Sequence, residues 1–201
     1  TMGTRVTLRL EEVERYGSRI GGRINSLILR LAPDDLEKWP NVSKNYSFDL
    51  IEIEVDNTVL ERANELRGLF PESTVLCAVI KIRKEDVNSE LRPSPAFRNM
   101  LESLFQSPFD VLYLTSDYDP ENGYYPTTDA VPAVHHFLVE KKLRHRFSIL
   151  AAGGIRSAAD SQKTIQRGAN GIKIESTPIM TNPHRQRQKT PTHQTNPTST
   201  E

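Results

Sequence analysis

The alternation of short apolar runs with longer amphipathic segments is the feature that most limits how this chain can fold. Six runs are rich in Val, Ile, Leu and Phe and have the length and composition of strands buried in a parallel sheet. They lie at residues 26–31, 48–55, 75–82, 109–115, 147–152 and 171–174. Between them, apolar residues recur at helical spacing, which predicts helices at residues 58–69, 95–106, 130–142 and 157–167.

This order of strands and helices predicts an α/β fold, a parallel sheet with crossover helices. Periodicity alone does not distinguish an open, doubly wound sheet from a TIM-type (β/α)8 barrel. The spacing of the last two β/α units, with paired glycines after the strand at 147–152, favours the barrel. The runs at 48–55, 75–82, 109–115 and 147–152 are therefore expected to be neighbouring parallel strands. Six strands do not close such a barrel, so we expect it to be incomplete.

Composition divides the chain into three parts. Residues 26–180 contain the predicted barrel strands, and residues 1–25 are poorly defined apart from a possible helix at 8–16. Residues 181–201 have no aliphatic or aromatic side chain, and a tract of this kind buries too little apolar surface to offset its ordering entropy. We therefore expect a disordered tail. At the start of the barrel region, Asp34-Asp35 after Pro33 predicts a helix N-cap.

Charge and cysteine content limit the class of function. The 26 basic residues balance the 26 acidic ones, which gives no indication of a nucleic-acid or membrane partner. Cys77 is the one cysteine, so the chain alone forms no disulfide and no all-cysteine metal centre. No apolar run approaches the roughly 18 residues of a membrane span, and the first residues lack the apolar stretch of a secretory signal. These features predict a soluble, cytoplasmic protein.

The paired glycines Gly153-Gly154 are the strongest candidate for a ligand site. They join a strand to a helix, where glycine lets backbone amides approach a ligand and the helix N-terminus favours an anion. Arg156 follows closely, and another strand ends at Ile174. In a TIM-type barrel, the turns after the last two strands commonly form a phosphate site. We therefore expect a phosphate between these two turns, with the alternative that Gly153-Gly154 is only a tight turn.

The residues from Gly123 to Lys173 include the strand and turn SILAAGGIRS and the segment RGANGIKI, separated by a predicted helix. In this order they resemble the last two β/α units of the FMN-binding barrel of the glutamate synthase family. Upstream, residues 49–54, 78–82 and 110–115 resemble the family's fourth, fifth and sixth strands. The resemblance covers about residues 27–174 and is strongest after Pro126.

The resemblance implies a flavin-dependent oxidoreductase that binds FMN and reductively aminates 2-oxoglutarate to glutamate. It implies that Lys81 lies near the flavin, that the amides of Gly153 and Gly154 bind the flavin phosphate, and that Arg156 is a nearby cation. A lysine there would stabilise an anionic reduced flavin, whereas the alternative is that Lys81 extends into solvent. After the eighth strand the family has Gly-Arg where this chain has Glu175-Ser176, and an acidic side chain disfavours a phosphate.

Three departures from the family keep alternatives open. The turn at residues 116–126 has bulky and acidic residues instead of a glycine-rich sequence, the cluster-binding cysteines are missing, and the first two strands have no counterpart. The chain is therefore expected to be a fragment, a decayed copy, or a subunit whose barrel a partner chain completes. A barrel that has lost flavin is one alternative function. Another is a phosphate-sugar enzyme that uses Asp117 or Asp119 as its base.

The histidines are weaker candidates, and the sequence assigns no catalytic residue. His135-His136 lies in a predicted helix, where adjacent side chains point in different directions, so we predict a structural role and not a shared metal site. His184 and His193 belong to the predicted tail, where only adventitious metal binding is expected.

Overall fold

A computed structural model of the chain describes residues 7–20, 27–46, 48–116, 118–119, 123–155 and 157–173. Its centre is a seven-stranded parallel sheet in the order β1-β2-β3-β4-β5-β8-β9. The strands are β1 Thr7–Arg9, β2 Ile28–Leu31, β3 Leu50–Glu54, β4 Val75–Lys81, β5 Val111–Thr115, β8 Ser148–Ala151 and β9 Gly171–Ile172. A separate antiparallel hairpin pairs β6 Tyr118–Asp119 with β7 Gly123–Tyr124.

The strand order confirms the predicted barrel topology. Every strand of the sheet lies beside the one that precedes it in the chain, without the reversal of order that marks a doubly wound sheet. The four runs expected to be neighbours are β3, β4, β5 and β8, and all three pairings are parallel. Each strand is shorter than the apolar run that predicted it, because the flanking apolar side chains also pack in the turns.

The sheet curls until its first and last strands approach each other. Lys173, directly after β9, extends its Nζ to within 2.8 Å of Thr7 Oγ1 on β1. Among the described residues, β1 and β9 form no backbone pairing with each other, so the barrel remains open at this seam. The fold is an incomplete TIM-type barrel, as the number of predicted strands suggested.

The N-terminal segment contributes a strand that the sequence did not reveal. We expected a helix at residues 8–16, whereas β1 occupies Thr7–Arg9 and α1 begins afterwards, at Leu10–Ile20. Three residues are too few to show strand alternation, and the pairing of β1 with β2 supplies the order that its local sequence lacks.

The helices lie outside the sheet and confirm the predicted amphipathic segments. They are α1 Leu10–Ile20, α2 Trp39–Val42, α3 Asn57–Glu61, α4 Ala63–Leu69, α5 Pro95–Phe105, α6 Thr127–Glu140 and α7 Ala158–Gln166. The segment predicted as one helix at 58–69 is two, because the backbone leaves the helical region at Arg62 (φ −95°, ψ 9°). Within the described ranges, none of these helices has the length and apolar character needed to cross a bilayer.

The Asp34-Asp35 pair does not form the predicted N-cap. Ala32 occupies the cap of a 3-10 helix at Pro33–Glu37, and Pro33 starts the first turn because its ring fixes φ there. The Asp35 carboxylate instead reaches back to accept a hydrogen bond from the Ala32 amide at 3.0 Å.

Two layers of side chains surround the sheet. The outward-facing positions pack against the helices in one large apolar cluster that includes Leu29, Ile53, Leu112 and Ile149. A smaller cluster occupies the inside of the curled sheet and includes Cys77, Val79 and Tyr113. Successive strand residues alternate between the two layers, as the pleat of a strand requires.

Candidate functional site at the carboxyl edge of the sheet

The carboxyl ends of four neighbouring strands bring several predicted site residues to one edge of the sheet. Lys81 ends β4 opposite Thr115 of β5, and the amide of Ala152 bonds to the Leu114 carbonyl at 2.9 Å. Lys173 follows β9, and its amide bonds to the Ala151 carbonyl at 3.0 Å. Since the strands are parallel, the turns after them open on the same side, where barrel proteins place their ligands.

The Gly153-Gly154 turn has a backbone conformation that favours glycine. Both residues have positive φ, 85° and 70°. A Cβ at Gly153 would lie 2.6 Å from Ser116 Oγ, and a Cβ at Gly154 would lie 3.1 Å from Pro126 Cα. The positive φ values and the close approach of Ser116 and Pro126 both favour glycine at these two positions.

Helix α6 begins beside this turn and fixes its position. The hydroxyl of Thr127, in the first turn of α6, donates to the Gly153 carbonyl at 2.8 Å. Thr127 is fully buried, so this hydrogen bond is protected from water. The carbonyl of Gly153 is thereby held towards α6, and the turn does not need a ligand to remain in place.

Ser116 is the polar group that most clearly lacks a partner at this edge. It follows β5, is only 4% exposed, and lies against Gly153. Its hydroxyl is buried and has no hydrogen-bond partner among the residues that the structure describes. A buried hydroxyl without a partner loses the hydrogen bonds it would make to water, and an oxygen-rich ligand at the turn would restore one.

Helix α7 starts just after the glycines and carries its own acidic group. Ser157 caps it, accepting a hydrogen bond from the Asp160 amide at 3.1 Å and donating one to Asp160 Oδ2 at 2.9 Å. Asp160 lies in the first helical turn, where its negative charge already complements the helix dipole. Sequence reasoning missed this carboxylate, although the Ser-x-x-Asp spacing is a recognisable capping pattern.

Lys81 lies at the edge where it was predicted, and it has a carboxylate neighbour. Its Nζ is 3.9 Å from Glu54 Oε2, and Arg9 approaches the other Glu54 oxygen at 3.7 Å. The Lys81 side chain is 51% exposed. Its place in the strand puts it on the same face as Cys77 and Val79, so it lies at the mouth of the barrel interior.

Other predicted site residues lie outside the described residues. Arg156, Glu175 and Ser176 are among them, as are Asp117 and the tail residues His184 and His193. Their roles stay predictions. The backbone of Asp119 belongs to β6.

The family comparison concerns the end of the sheet that contains the glycine turn. Residues 120–191 match the conserved region in glutamate synthase. Over these residues the chain is similar to the glutamate synthase family. The described part of this segment runs from β7 through α6, β8 and α7 to β9, and it includes Gly153, Gly154 and Lys173. The match confirms the resemblance noted in the sequence.

Two further comparisons add less. No curated protein matches the chain. Among solved structures, one that matches is described as a cube-shaped, highly porous protein cage designed by fusing symmetric oligomeric domains, at 13% identity and a TM-score of 0.42. The alignment covers 82% of this chain and 46% of that one, so the chain spans less than half the length of the designed protein.

Below the turn at Gly153-Gly154, the inside of the barrel holds a charged cluster. Glu52 is 1% exposed; its Oε2 accepts from Arg30 Nε at 2.9 Å, and its Oε1 accepts from Lys173 Nζ at 2.7 Å. The ring of Tyr113 lies under both cations, 5.5 Å from the Arg30 guanidinium carbon and 5.2 Å from Lys173 Nζ. We call Arg30, Glu52, Tyr113 and Lys173 the interior cluster.

Sequence reasoning missed the interior cluster, although a signal was present. Arg30 and Glu52 each interrupt a short apolar strand, and Lys173 directly follows another. Their neighbours in the strands are apolar and face outward, so these three side chains face the opposite side of the sheet. Cys77 lies beside them, and burial, followed by the Glu52 charge, raises the pKa of its thiol well above the ordinary value. A thiol of this kind stays protonated and is a structural residue.

His135 and His136 lie next to each other on α6, with ring centres 5.5 Å apart, and their structural role stays a prediction. His135 Nδ1 accepts a hydrogen bond from Arg144 Nε at 3.0 Å, and the same guanidinium bonds to the Phe147 and Gly168 carbonyls. His136 is exposed on α6. Nowhere in the described ranges do three or more His, Cys, Asp or Glu side chains gather in a way that could hold a metal.

Proposed function

We propose that the carboxyl edge of this barrel binds FMN, and that the protein is a flavin-dependent oxidoreductase of the glutamate synthase type. The observation that carries the proposal is the buried, unpartnered hydroxyl of Ser116 beside the Gly153-Gly154 turn. A phosphate monoester offers the acceptor oxygens that this hydroxyl lacks. The family match over residues 120–191 supports the same reading, because the glycine turn lies inside it.

The residues present fit the phosphate end of such a cofactor. Gly153 and Gly154 leave the turn without side chains, and Ser116 supplies a hydroxyl. Lys81 contributes a positive charge at the same edge, which would favour an anionic reduced flavin, although Glu54 offsets part of that charge. When bound, FMN would supply electrons for reduction of the imine formed from 2-oxoglutarate and ammonia, with glutamate as product.

The chain's own residues then have defined tasks. Thr127 holds the Gly153 carbonyl away from the phosphate side, so the turn keeps its amides available. The interior cluster fills the barrel below the mouth, which leaves the cofactor and its small-molecule substrate at the carboxyl edge. A cytoplasmic location, and completion of the barrel by a partner chain or a further stretch of chain, stay predictions.

Titration of the purified protein with FMN, followed by quenching of flavin fluorescence at one fixed salt concentration, tests the proposal. Gly154→Asp should abolish binding, because it puts a side chain and a negative charge at the turn. Ser116→Ala should weaken binding about three- to tenfold, the usual worth of one hydrogen bond. Gly68→Asp is the matched control, since a side chain at Gly68 in α4 meets no atom within 4 Å.

A second function has its own supporting observation. Glu54 beside Lys81 and Asp160 in the first turn of α7 place two carboxylates at the edge where FMN should bind. These charges suit a non-catalytic barrel that keeps the fold and has lost the cofactor. Well-folded protein that leaves flavin fluorescence unchanged would favour this function and reject the first.

A further inference from the structure

A cavity lies outside the sheet, away from the residues of the glycine turn. It has a volume of about 360 Å³ and is bounded by the loop that follows β4 and by helices α5 and α6. This volume lies in the range typical of small-molecule pockets. The lining residues are Glu90, Leu91, Arg92, Pro93, Arg98, Ala133, His136, Phe137 and Glu140.

Arg98 of α5 is the group that points to a ligand. Its guanidinium lies over the ring of Phe137, 5.3 Å from the ring centre, and its buried Nε has no hydrogen-bond partner in the described ranges. Within the described part of the chain, no carboxylate forms an ion pair with Arg98. Because a guanidinium N–H removed from water is costly without an acceptor, an anionic group in the cavity would satisfy it.

The remaining charges of the cavity divide into a pair and a single carboxylate. Glu90 and Arg92 lie 3.9 Å apart and offset each other. Glu140, near the end of α6, forms no ion pair with any residue that the structure describes. Besides His136, the cavity therefore presents one cation, Arg98, and one anion, Glu140, that have no ion-pair partner among the described residues.

The loop on one side of the cavity is already held in place. Leu91 has a positive φ of 55°, an uncommon conformation for a residue with a side chain. The loop is held by Asn88, whose Oδ1 accepts hydrogen bonds from the Glu90 and Arg92 amides at 3.1 and 2.9 Å. Leu91 is half-buried and presents apolar surface to the cavity, whereas Pro93 and Phe137 are buried beneath the lining.

We propose that this cavity binds a free α-amino acid with an apolar side chain. The carboxylate would pair with Arg98, the ammonium group with Glu140, and the side chain would contact Leu91. Of the ligand classes that fit one cation, one anion and the apolar side chain of Leu91, a zwitterionic amino acid needs no further charge from the protein. The proposal does not depend on flavin binding, since the cavity shares no residue with the glycine turn.

Isothermal titration calorimetry of the full chain, with three probes of similar shape, tests the proposal. L-Leucine carries both charges, 4-methyl-2-oxopentanoate lacks the ammonium group, and 3-methylbutylamine lacks the carboxylate. We expect L-leucine to bind at least about tenfold more tightly than either of the other probes, because each loses one charge-assisted contact. Arg98→Met and Glu140→Gln should each weaken leucine binding about tenfold.

Arg15→Met is the matched control, because Arg15 also lies on a helix over an aromatic ring, 5.9 Å from the centre of Tyr16, and outside the cavity. It should leave leucine affinity unchanged. Circular dichroism checks that each variant folds, and Arg98→Lys provides a second variant that keeps the charge but loses the planar donors. The proposal is overturned by absence of leucine binding, by equal affinity for the oxo acid, or by Arg98→Met binding leucine as tightly as the unaltered protein.

Discussion

The two faces of the curled sheet differ in how they are filled. The outer face packs apolar side chains such as Leu29, Ile53 and Leu114 against the helices. The inner face combines a few apolar residues with Glu52, which is fully enclosed by two cations and the hydroxyl-bearing ring of Tyr113. The outer face owes its stability to removal of apolar surface from water, whereas the inner face depends on a charge balance that one substitution can upset.

Removing the central carboxylate should have the largest effect. Glu52→Ala leaves Arg30 and Lys173 facing each other in a buried space, and we expect a loss of about 3–5 kcal/mol in the free energy of unfolding. Leu114→Ala on the outer face, which leaves a cavity without an unpaired charge, should cost about 2–5 kcal/mol. Urea denaturation measures both.

Glu54, at the mouth of the barrel, shows how much of the expected effect at Glu52 comes from burial of the carboxylate and how much from its contacts with cations. Glu54 also contacts two cations, but its side chain is 20% exposed and its contacts are 3.7 and 3.9 Å long. Glu54→Gln should therefore cost less than about 1 kcal/mol. Equal losses for Glu52→Ala and Glu54→Gln would contradict the view that the inner face depends on buried charge balance.

The two faces also differ in how far the sequence predicted them. The outer face follows from apolar residues at alternate strand positions and helical spacing, and strands β2 to β5, β8 and β9 were identified in this way. The inner face depends on which strands meet inside the curl. Glu52 pairs with Arg30, 22 positions away, and with Lys173, 121 positions away, and no local pattern links these residues.

The candidate site shows the same division. The Gly153-Gly154 turn was predicted because glycines between a strand and a helix have a local meaning. Ser116 was missed as a site residue, because its lack of a partner arises only when β5 and β8 become neighbours. β1 was missed because its order comes from pairing with β2.

Replacing all three charges at once should reverse the sign of the first prediction. The triple variant Arg30→Met, Glu52→Leu and Lys173→Met removes each charge together with its partners and retains similar side-chain volumes. We expect stability between that of the unaltered protein and about 4 kcal/mol above it, because burying an ion pair costs desolvation that apolar side chains avoid. The same urea experiment measures it, and a loss comparable to that of Glu52→Ala would mean that the cluster stabilises the barrel outright.

The glycine turn lies at the carboxyl edge of the sheet, between its inner and outer faces. Adding a single methyl group there should lower the stability of the protein. Gly153→Ala forces a side chain into a positive φ and towards Ser116 Oγ, with an expected cost of about 1–3 kcal/mol. Gly68→Ala in α4 is the matched control and should stabilise the protein by about 0.5–1 kcal/mol, because alanine favours the helix and the site is open. Thermal unfolding of both variants should therefore shift in opposite directions.

The hydrogen bond between His135 and Arg144 should have the smallest effect on stability, because both side chains lie nearer to solvent than the interior cluster does. Burial, followed by the charge of Arg144 and the proximity of His136, lowers the pKa of His135 below its ordinary value of 6.5. The neutral ring is the form that accepts the hydrogen bond from Arg144 Nε, so the unfolded chain binds a proton more readily than the folded protein. The contribution of His135 to stability is present above pH 6.5 and is lost as the pH falls through that value towards the lower pKa of the folded state.

Urea unfolding at several pH values tests this prediction. The contribution of His135 to stability should decrease on acidification by less than about 1 kcal/mol. His135→Gln, which keeps an acceptor that does not titrate in this range, should flatten the decrease, whereas His145→Gln at an exposed position should not. An unchanged pH dependence in His135→Gln would show that the pKa of His135 is the same in the folded and unfolded states.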